Sequence, residues 1–167
     1  MSFGGQERSD PGGSCGGQER SDPGMSFGGQ ERSDPGMSLL ERLTSALEKV
    51  TTLVEESDGA LTVTVDGLVA SLRVVVIADG LEMVSLTQPL AWDLPLTNEI
   101  RERVAQQAGR TMLGTVALVE KGSAAENVAD VMLRYNFPAA GLPEDALRTL
   151  ILLVLSTGAE VRRALTS

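Results

Sequence analysis

The sequence predicts an α+β domain over residues 37–167: a five-stranded antiparallel sheet with helices packed on it, in the order α-β-β-β-α-β-β-α. Three observations carry that prediction. Asp66-Gly67 and Asp79-Gly80 divide the β-branched stretch from Leu61 to Thr87 into three strands, because Asp-Gly accepts the positive φ of a tight hairpin turn. Leu39, Leu40, Leu43, Ala46, Leu47, Val50, Leu53 and Val54 recur at spacings of three and four, which is one apolar face of a helix. Pro143, Glu144 and Asp145 open a last apolar stretch that reaches Leu165, with Arg162 and Arg163 near its end, matching the polarity of a helix dipole.

The first helix starts at Ser38, where Ser38-x-x-Glu41 is a capping box, and Ser57-Asp58-Gly59 is expected to stop it. In the first strand Leu61, Val63 and Val65 alternate with Thr62 and Thr64. The second runs from Leu68 to Ala78 with Ser71 and Arg73 on one face, and the third from Leu81 to Thr87. Gln88 to Pro95 reads as a loop bounded by prolines and containing Trp92, the only tryptophan. A second helix is expected from Leu96 to Ala108, with Leu96, Ile100, Val104 and Ala108 on one face and Gly109 as its stop. Met112 to Glu120 and Val128 to Phe137 read as the fourth and fifth strands. In the fifth, Ala129, Val131, Leu133, Tyr135 and Phe137 share one face, and Asp130, Arg134 and Asn136 the other.

Residues 1–36 are three copies of a twelve-residue unit, MSFGGQERSDPG, the middle copy differing by Gly13 and Cys15. Rich in Gly and charge, the unit offers almost nothing to bury, and a disordered tail is the expectation. Two readings stand: a repeated docking peptide with Phe3 and Phe27 as anchors, or a tandem duplication ahead of the in-frame Met25 and Met37.

Composition narrows the function classes. Net charge is −9, and the 14 Lys and Arg residues are scattered among 23 acids, so neither nucleic acid nor an anionic membrane is an expected partner. The repeats account for three of those bases and six of the acids, leaving 11 bases against 17 acids in the domain. Histidine is absent, which removes the commonest general base and the commonest zinc ligand; no cofactor is expected, and the chain reads as not an enzyme. A single cysteine, the missing secretory leader pattern, and an aliphatic run no longer than Leu150 to Leu155 point to a cytoplasmic protein.

No motif concentrates chemistry. Glu55, Glu56 and Asp58 lack the spacing of a calcium loop and read as a solvated helix end. Glu120 and Glu126 flank a turn and read as exposed acids. Gly158 sits in mid-helix, where its lack of a side chain permits close packing. Leu150, Ile151, Leu152, Val154 and Leu155 form an apolar girdle all round the last helix, continued by Val161. Either the sheet and first helix cover it, or one side meets a second chain as a protein-binding or dimer interface. Trp92 either plugs an edge of the core or anchors such an interface.

The strand GTVALVEKG, the strand NVADVMLRYNFPA and the closing GLPEDALRTLILLVLSTGAEVRRAL, within Thr111 to Leu165, resemble the type III secretion chaperone-like fold, and within it the YbjN-type proteins. The resemblance extends in topology to Leu39 and brings no catalytic residues with it. It implies a non-enzymatic, chaperone- or adaptor-like module that holds a client polypeptide through apolar surface as a homodimer. The alternative expectation is a regulatory domain that senses a small apolar ligand in a cavity behind the sheet.

Overall fold

The computed structural model describes residues 36–122 and 127–166, so the repeats assigned to a disordered tail lie outside the described residues, as does Glu126. Helix α1 spans Leu39–Leu47, and strands β1 to β4 are Thr52–Glu55, Leu61–Val65, Leu68–Ala78 and Leu81–Pro95. Helix α2 is Asn98–Arg110, β5 Thr115–Glu120, β6 Val128–Pro138 and α3 Glu144–Thr166. The six strands form one antiparallel sheet in the order β1-β2-β3-β4-β6-β5.

The sheet therefore has six strands where five were expected, and the extra strand comes out of the predicted first helix. The capping box forms as anticipated, with the Glu41 amide donating to Ser38 Oγ at 3.3 Å and the Ser38 amide donating to Glu41 Oε2 at 2.7 Å. The helix ends at Leu47, however, and Thr52–Glu55 pairs with β2 as β1. Val50, Thr51, Thr52 and Val54 explain the switch: β-branched side chains lose rotamer freedom in a helix and suit a strand. Ser57-Asp58-Gly59 is accordingly the turn between β1 and β2, with Gly59 at φ +80°.

The second difference is at the prolines. β4 does not stop at Thr87 but runs on to Pro95, pairing with β6 throughout. Proline brings no N–H to a ladder, and the strand absorbs this with two irregularities, between Pro89 and Ala91 and between Ala91 and Leu94. At the other predicted boundaries the shifts are smaller. α2 starts after Thr97, whose Oγ1 accepts from the Ile100 amide at 3.2 Å, and passes through Gly109 to end at Arg110. The Asp66-Gly67 turn has positive φ at both residues, 50° and 74°, as a two-residue hairpin of this hand requires.

Burial alternates along the central strands, so the sheet buries one face only. The buried face carries Leu61, Val63, Ala70, Leu72, Val84, Leu86, Leu133 and Val131, and the helices contribute Leu43, Leu47, Val104, Leu147, Ile151 and Val154 to the same core. Two arginines tie α1 to the start of α3. Arg42, itself buried, donates through Nη1 to Ala140 O at 3.0 Å and through Nη2 to Leu142 O; Arg148 Nε donates to Ala46 O at 2.7 Å.

α3 crosses β4 at Gly158. A Cβ there would fall on the Gln88 carboxamide, 2.6 Å from Cδ, so only glycine lets the helix come this close. Gln88 is fully buried beneath it, and among the described residues neither its Nε2 nor its Oε1 has a hydrogen-bond partner. Gly158→Ala is expected to cost about 1–3 kcal/mol by overpacking, seen as a lower urea midpoint. Gln88→Ala in the same chain should recover part of that loss. Strictly additive losses in the double mutant would show that the two residues do not share this contact.

Candidate functional site

The girdle on α3 divides once the helix is packed. Ile151 and Val154 are fully buried, and Leu155 and Val161 nearly so, all within the core. Leu150 is half-buried against the core and Leu152 half-buried, while Leu153, inside the run Leu150 to Leu155, is exposed. Sheet and helices thus cover most of the girdle within one chain. The space behind the sheet, where an apolar ligand is the alternative expectation, is filled by Leu43, Leu47, Leu72, Leu86, Leu133 and Ile151, each with no accessible surface.

The apolar surface that remains open lies on the other face of the sheet. The register fixes its rows. Val54, Thr62, Ser71, Thr87, Arg134 and Thr115 form one row across all six strands. Arg73, Ser85 and Asn136 form a second; Val75, Met83 and Pro138 a third; Pro89, Met132 and Ala117 a fourth. These rows hold two charges, Arg73 and Arg134, in a chain whose residues are 22% charged. Arg73 Nη2 pairs with Asp58 at 2.5 Å, and that hydrogen bond, ahead of the Ala60 amide, lowers the Asp58 pKa. Arg134 has no ion pair among the described residues and borders a shallow cleft with Gly114, Thr115, Tyr135 and Asn136. Gly114, at φ +89°, is needed there because a Cβ would meet Arg134 O at 2.9 Å.

Trp92 stands on this open face, 57% exposed, at the second irregularity of β4. It lies in a strand and not in the expected loop. The irregularity puts Trp92 and Asp93 opposite Asp130, and Asp93 takes φ 53°. Asp130 holds that strained backbone: its Oδ1 accepts from the Asp93 amide at 2.9 Å and from Lys121 Nζ at 2.9 Å. Lys121 Nζ also reaches Asp93 Oδ1 at 2.6 Å and sits 5.6 Å from the Trp92 ring centroid, a cation–π distance. Burial opposes the charge on Asp130, but the Asp93 amide and the Lys121 ammonium outweigh it and lower its pKa. The Lys121 pKa is raised, first by its hydrogen bond to Asp93 and then by that to Asp130.

The acidic groups singled out in the sequence are dispersed. Glu56 Oε1 accepts from Thr62 Oγ1 at 2.8 Å, Asp58 pairs with Arg73, and Glu120 pairs with Arg101 at 2.9 Å. Among the described residues no three His, Cys, Asp or Glu side chains gather as metal ligands, and no helix is long and apolar enough to cross a membrane. The residues that sequence reasoning missed are Met83, Met132 and Val75. Their signal was the alternation along their strands, but it does not say which of the two faces stays open.

The carboxylate of Asp130 should make the Trp92 bulge acid-sensitive. With its folded pKa below the ordinary value of about 3.9, its contribution is complete above that pH and is lost as pH falls through the folded pKa. The gap in melting temperature between wild type and Asp130→Asn is therefore expected to be constant from pH 7 to 5 and to close in stronger acid. A gap that stays open to the acid limit would count against this assignment.

Compared with protein-family models and with curated proteins, the sequence gives no match. Among solved structures it is similar to YbjN from E. coli, described as a candidate transcription regulator. The TM-score is 0.51 and the identity 13%, over 74% of this chain and 87% of that one. The HopA1-SchA chaperone–effector complex aligns at TM-score 0.49 and 14% identity, over 75% of this chain and 91% of the matched chain. The fold is YbjN-like, and the likeness is one of fold.

Proposed function

We propose that this domain is a non-catalytic protein-binding module, chaperone- or adaptor-like, that holds a segment of another polypeptide against the open face of its sheet and works as a homodimer. The observation that carries the reading is that face. Four of its rows, of Val, Met, Pro, Ala, Ser, Thr and Asn, hold only two charges in an acidic chain, and Trp92 rises at one end beside the Asp93, Lys121 and Asp130 cluster. An apolar, weakly charged surface loses little on giving up its water, and an exposed tryptophan offers a large rigid contact at small entropic cost. Met83 and Met132 suit a client of loosely defined sequence, because the unbranched thioether side chain adapts its shape. Trp92 is the member of the expected interface set that this surface retains; Leu150 and Leu152, with Leu153, remain as a smaller patch on α3.

The YbjN-like fold agrees with a role in regulation by binding, and the absence of histidine from the whole sequence fits a protein without acid–base chemistry. The test is capture of client chains from native lysate by the tagged full-length protein. Trp92→Ala and Met132→Lys are each expected to reduce a stoichiometric partner by about tenfold or more, as loss of a central contact does, while the circular dichroism spectrum stays that of wild type. Unchanged capture by both folded variants would remove the open face as the binding surface.

A further inference from the structure

Of the two cations on the open face, only one is matched. Arg73 pairs with Asp58, whereas Arg134, exposed on β6, has neither an ion pair nor a side-chain hydrogen bond among the described residues. A guanidinium does not shed its charge by deprotonation, so the charge stands open. Its neighbours on the face are neutral. Thr87 and Thr115 lie directly opposite it on β4 and β5, Met132 and Asn136 two residues away along β6, and Ser85 opposite Asn136. None of the four outer rows contains an acid. Asp130 shares the face but lies four residues on, about 13 Å along an extended strand, and its charge is taken up by Lys121 and the Asp93 amide. Glu82 is on the other face, in step with buried Val84 and Leu86, and Glu120 pairs with Arg101. In a chain of 23 acids and 14 bases, keeping every acid out of these rows leaves Arg134 among hydroxyls and an amide alone.

We infer that the polypeptide segment held on this face carries an acidic side chain, Asp or Glu, and that Arg134 receives it; the inference rests on the open-face reading above. A guanidinium donates to both oxygens of a carboxylate in one plane. The Thr87 and Thr115 hydroxyls and the Asn136 carboxamide stand at cross-strand or next-residue distance and can donate to the same group. β5 begins at Thr115, opposite Arg134, while β6 runs on to Pro138 without a rung to β5, and the shallow cleft opens at that point. The spacing along β6 sets the rest of the segment. Met132, Arg134, Asn136 and Pro138 face outward two residues apart, so an extended chain lying along them presents alternate side chains to each. An apolar residue two positions from the acid meets Met132, with Pro89 and Ala117 beside it. A second, four positions away on the other side, meets Pro138 and Met83. The partner is therefore a mostly apolar strand with one acid, and not an acidic tract, whose further carboxylates would meet no cation. The net charge of −9 does not cancel the attraction, because exposed charges are screened beyond about 8–10 Å at cellular salt and the groups beside Arg134 are neutral.

The probes are acetylated, amidated peptides with Leu at those two apolar positions, Thr or Ser between them, and Glu, Gln or Lys at the acidic position, so that one side chain supplies the only carboxylate. Titrated calorimetrically into the full-length protein, the Glu peptide is expected to bind about tenfold more tightly than the Gln peptide, and the Lys peptide more weakly than either. Arg134→Gln should bring the Glu and Gln peptides to equal affinity, and Arg134→Glu should invert the order in favour of Lys. Arg134 is exposed, so both variants fold. Arg162→Gln removes an exposed charge on α3, away from the open face, and should keep the full preference. Equal binding of the Glu and Gln peptides, no binding of the Glu peptide, or the same loss of preference in Arg162→Gln would overturn the assignment. The client-capture assay separates this proposal from the one it rests on. Capture still lost in Trp92→Ala and Met132→Lys, with no preference for Glu, removes the carboxylate and leaves the open face; capture unchanged in those two variants removes the face itself.

Discussion

The approach of α3 to the centre of the sheet is the constraint on which the remaining architecture depends. Leu147, Ile151, Val154, Leu155, Gly158, Val161 and Leu165 form one buried stripe along the helix, at spacings that keep them on a single side. That stripe needs a flat apolar partner, and the inner rows Leu61–Leu72–Leu86–Tyr135 and Gln88–Leu133–Val116 supply it. At Gly158 the missing side chain lets the helix close down on Gln88. Among the described residues the amide under it has no hydrogen-bond partner. Once α3 lies there, α1 is held to it by Arg42 and Arg148, and one face of the sheet is filled.

Filling one face leaves the other to solvent, and the proposed binding surface follows from that asymmetry. A sheet covered on both sides would have to make its strands apolar throughout. Here Thr62, Ser71, Ser85, Thr87 and Asn136 alternate with the core residues, and the apolar members of the outer rows are spaced among them. The Trp92 bulge shows how such a feature is maintained. A positive φ at Asp93 is unfavourable for any residue with a side chain, and it persists because the Asp130 carboxylate and Lys121 hold both sides of the kink. Lys121 Nζ in turn lies 5.6 Å from the centroid of the indole.

The hairpin tip is the complementary case, an edge in place of a face. β2 ends opposite Leu72 because Asp58 and Gly59 turn the chain back toward β1, and the Arg73–Asp58 pair closes that corner. Beyond it β3 pairs with β4 alone and is interrupted by an irregularity between Val76 and Ala78. In a chain of net charge −9, keeping six residues of exposed edge free of acid until Asp79 is a departure from the rest of the surface.

Part of the short-range chemistry was legible in the sequence. The Ser38 capping box, the Asp66-Gly67 turn and the alternating faces of β6 all depend on residues within a few positions of each other, and each formed as its spacing implied. Tertiary pairing decided the rest. Val50 to Glu55 satisfies helical periodicity and strand propensity at once, and only the presence of β2 alongside makes it β1. Pro89 and Pro95 read as loop because proline lacks a donor; β6 beside them tolerates the gap by bulging, and so carries Trp92 onto the sheet. The run Leu150 to Leu155 is apolar on every side, and a contiguous run has no phase by which to choose its buried face. Packing against β4 chose it, burying Ile151, Val154 and Leu155 and leaving Leu153 outside, because which face of a uniformly apolar helix disappears is set by what lies next to it in space and not along the chain.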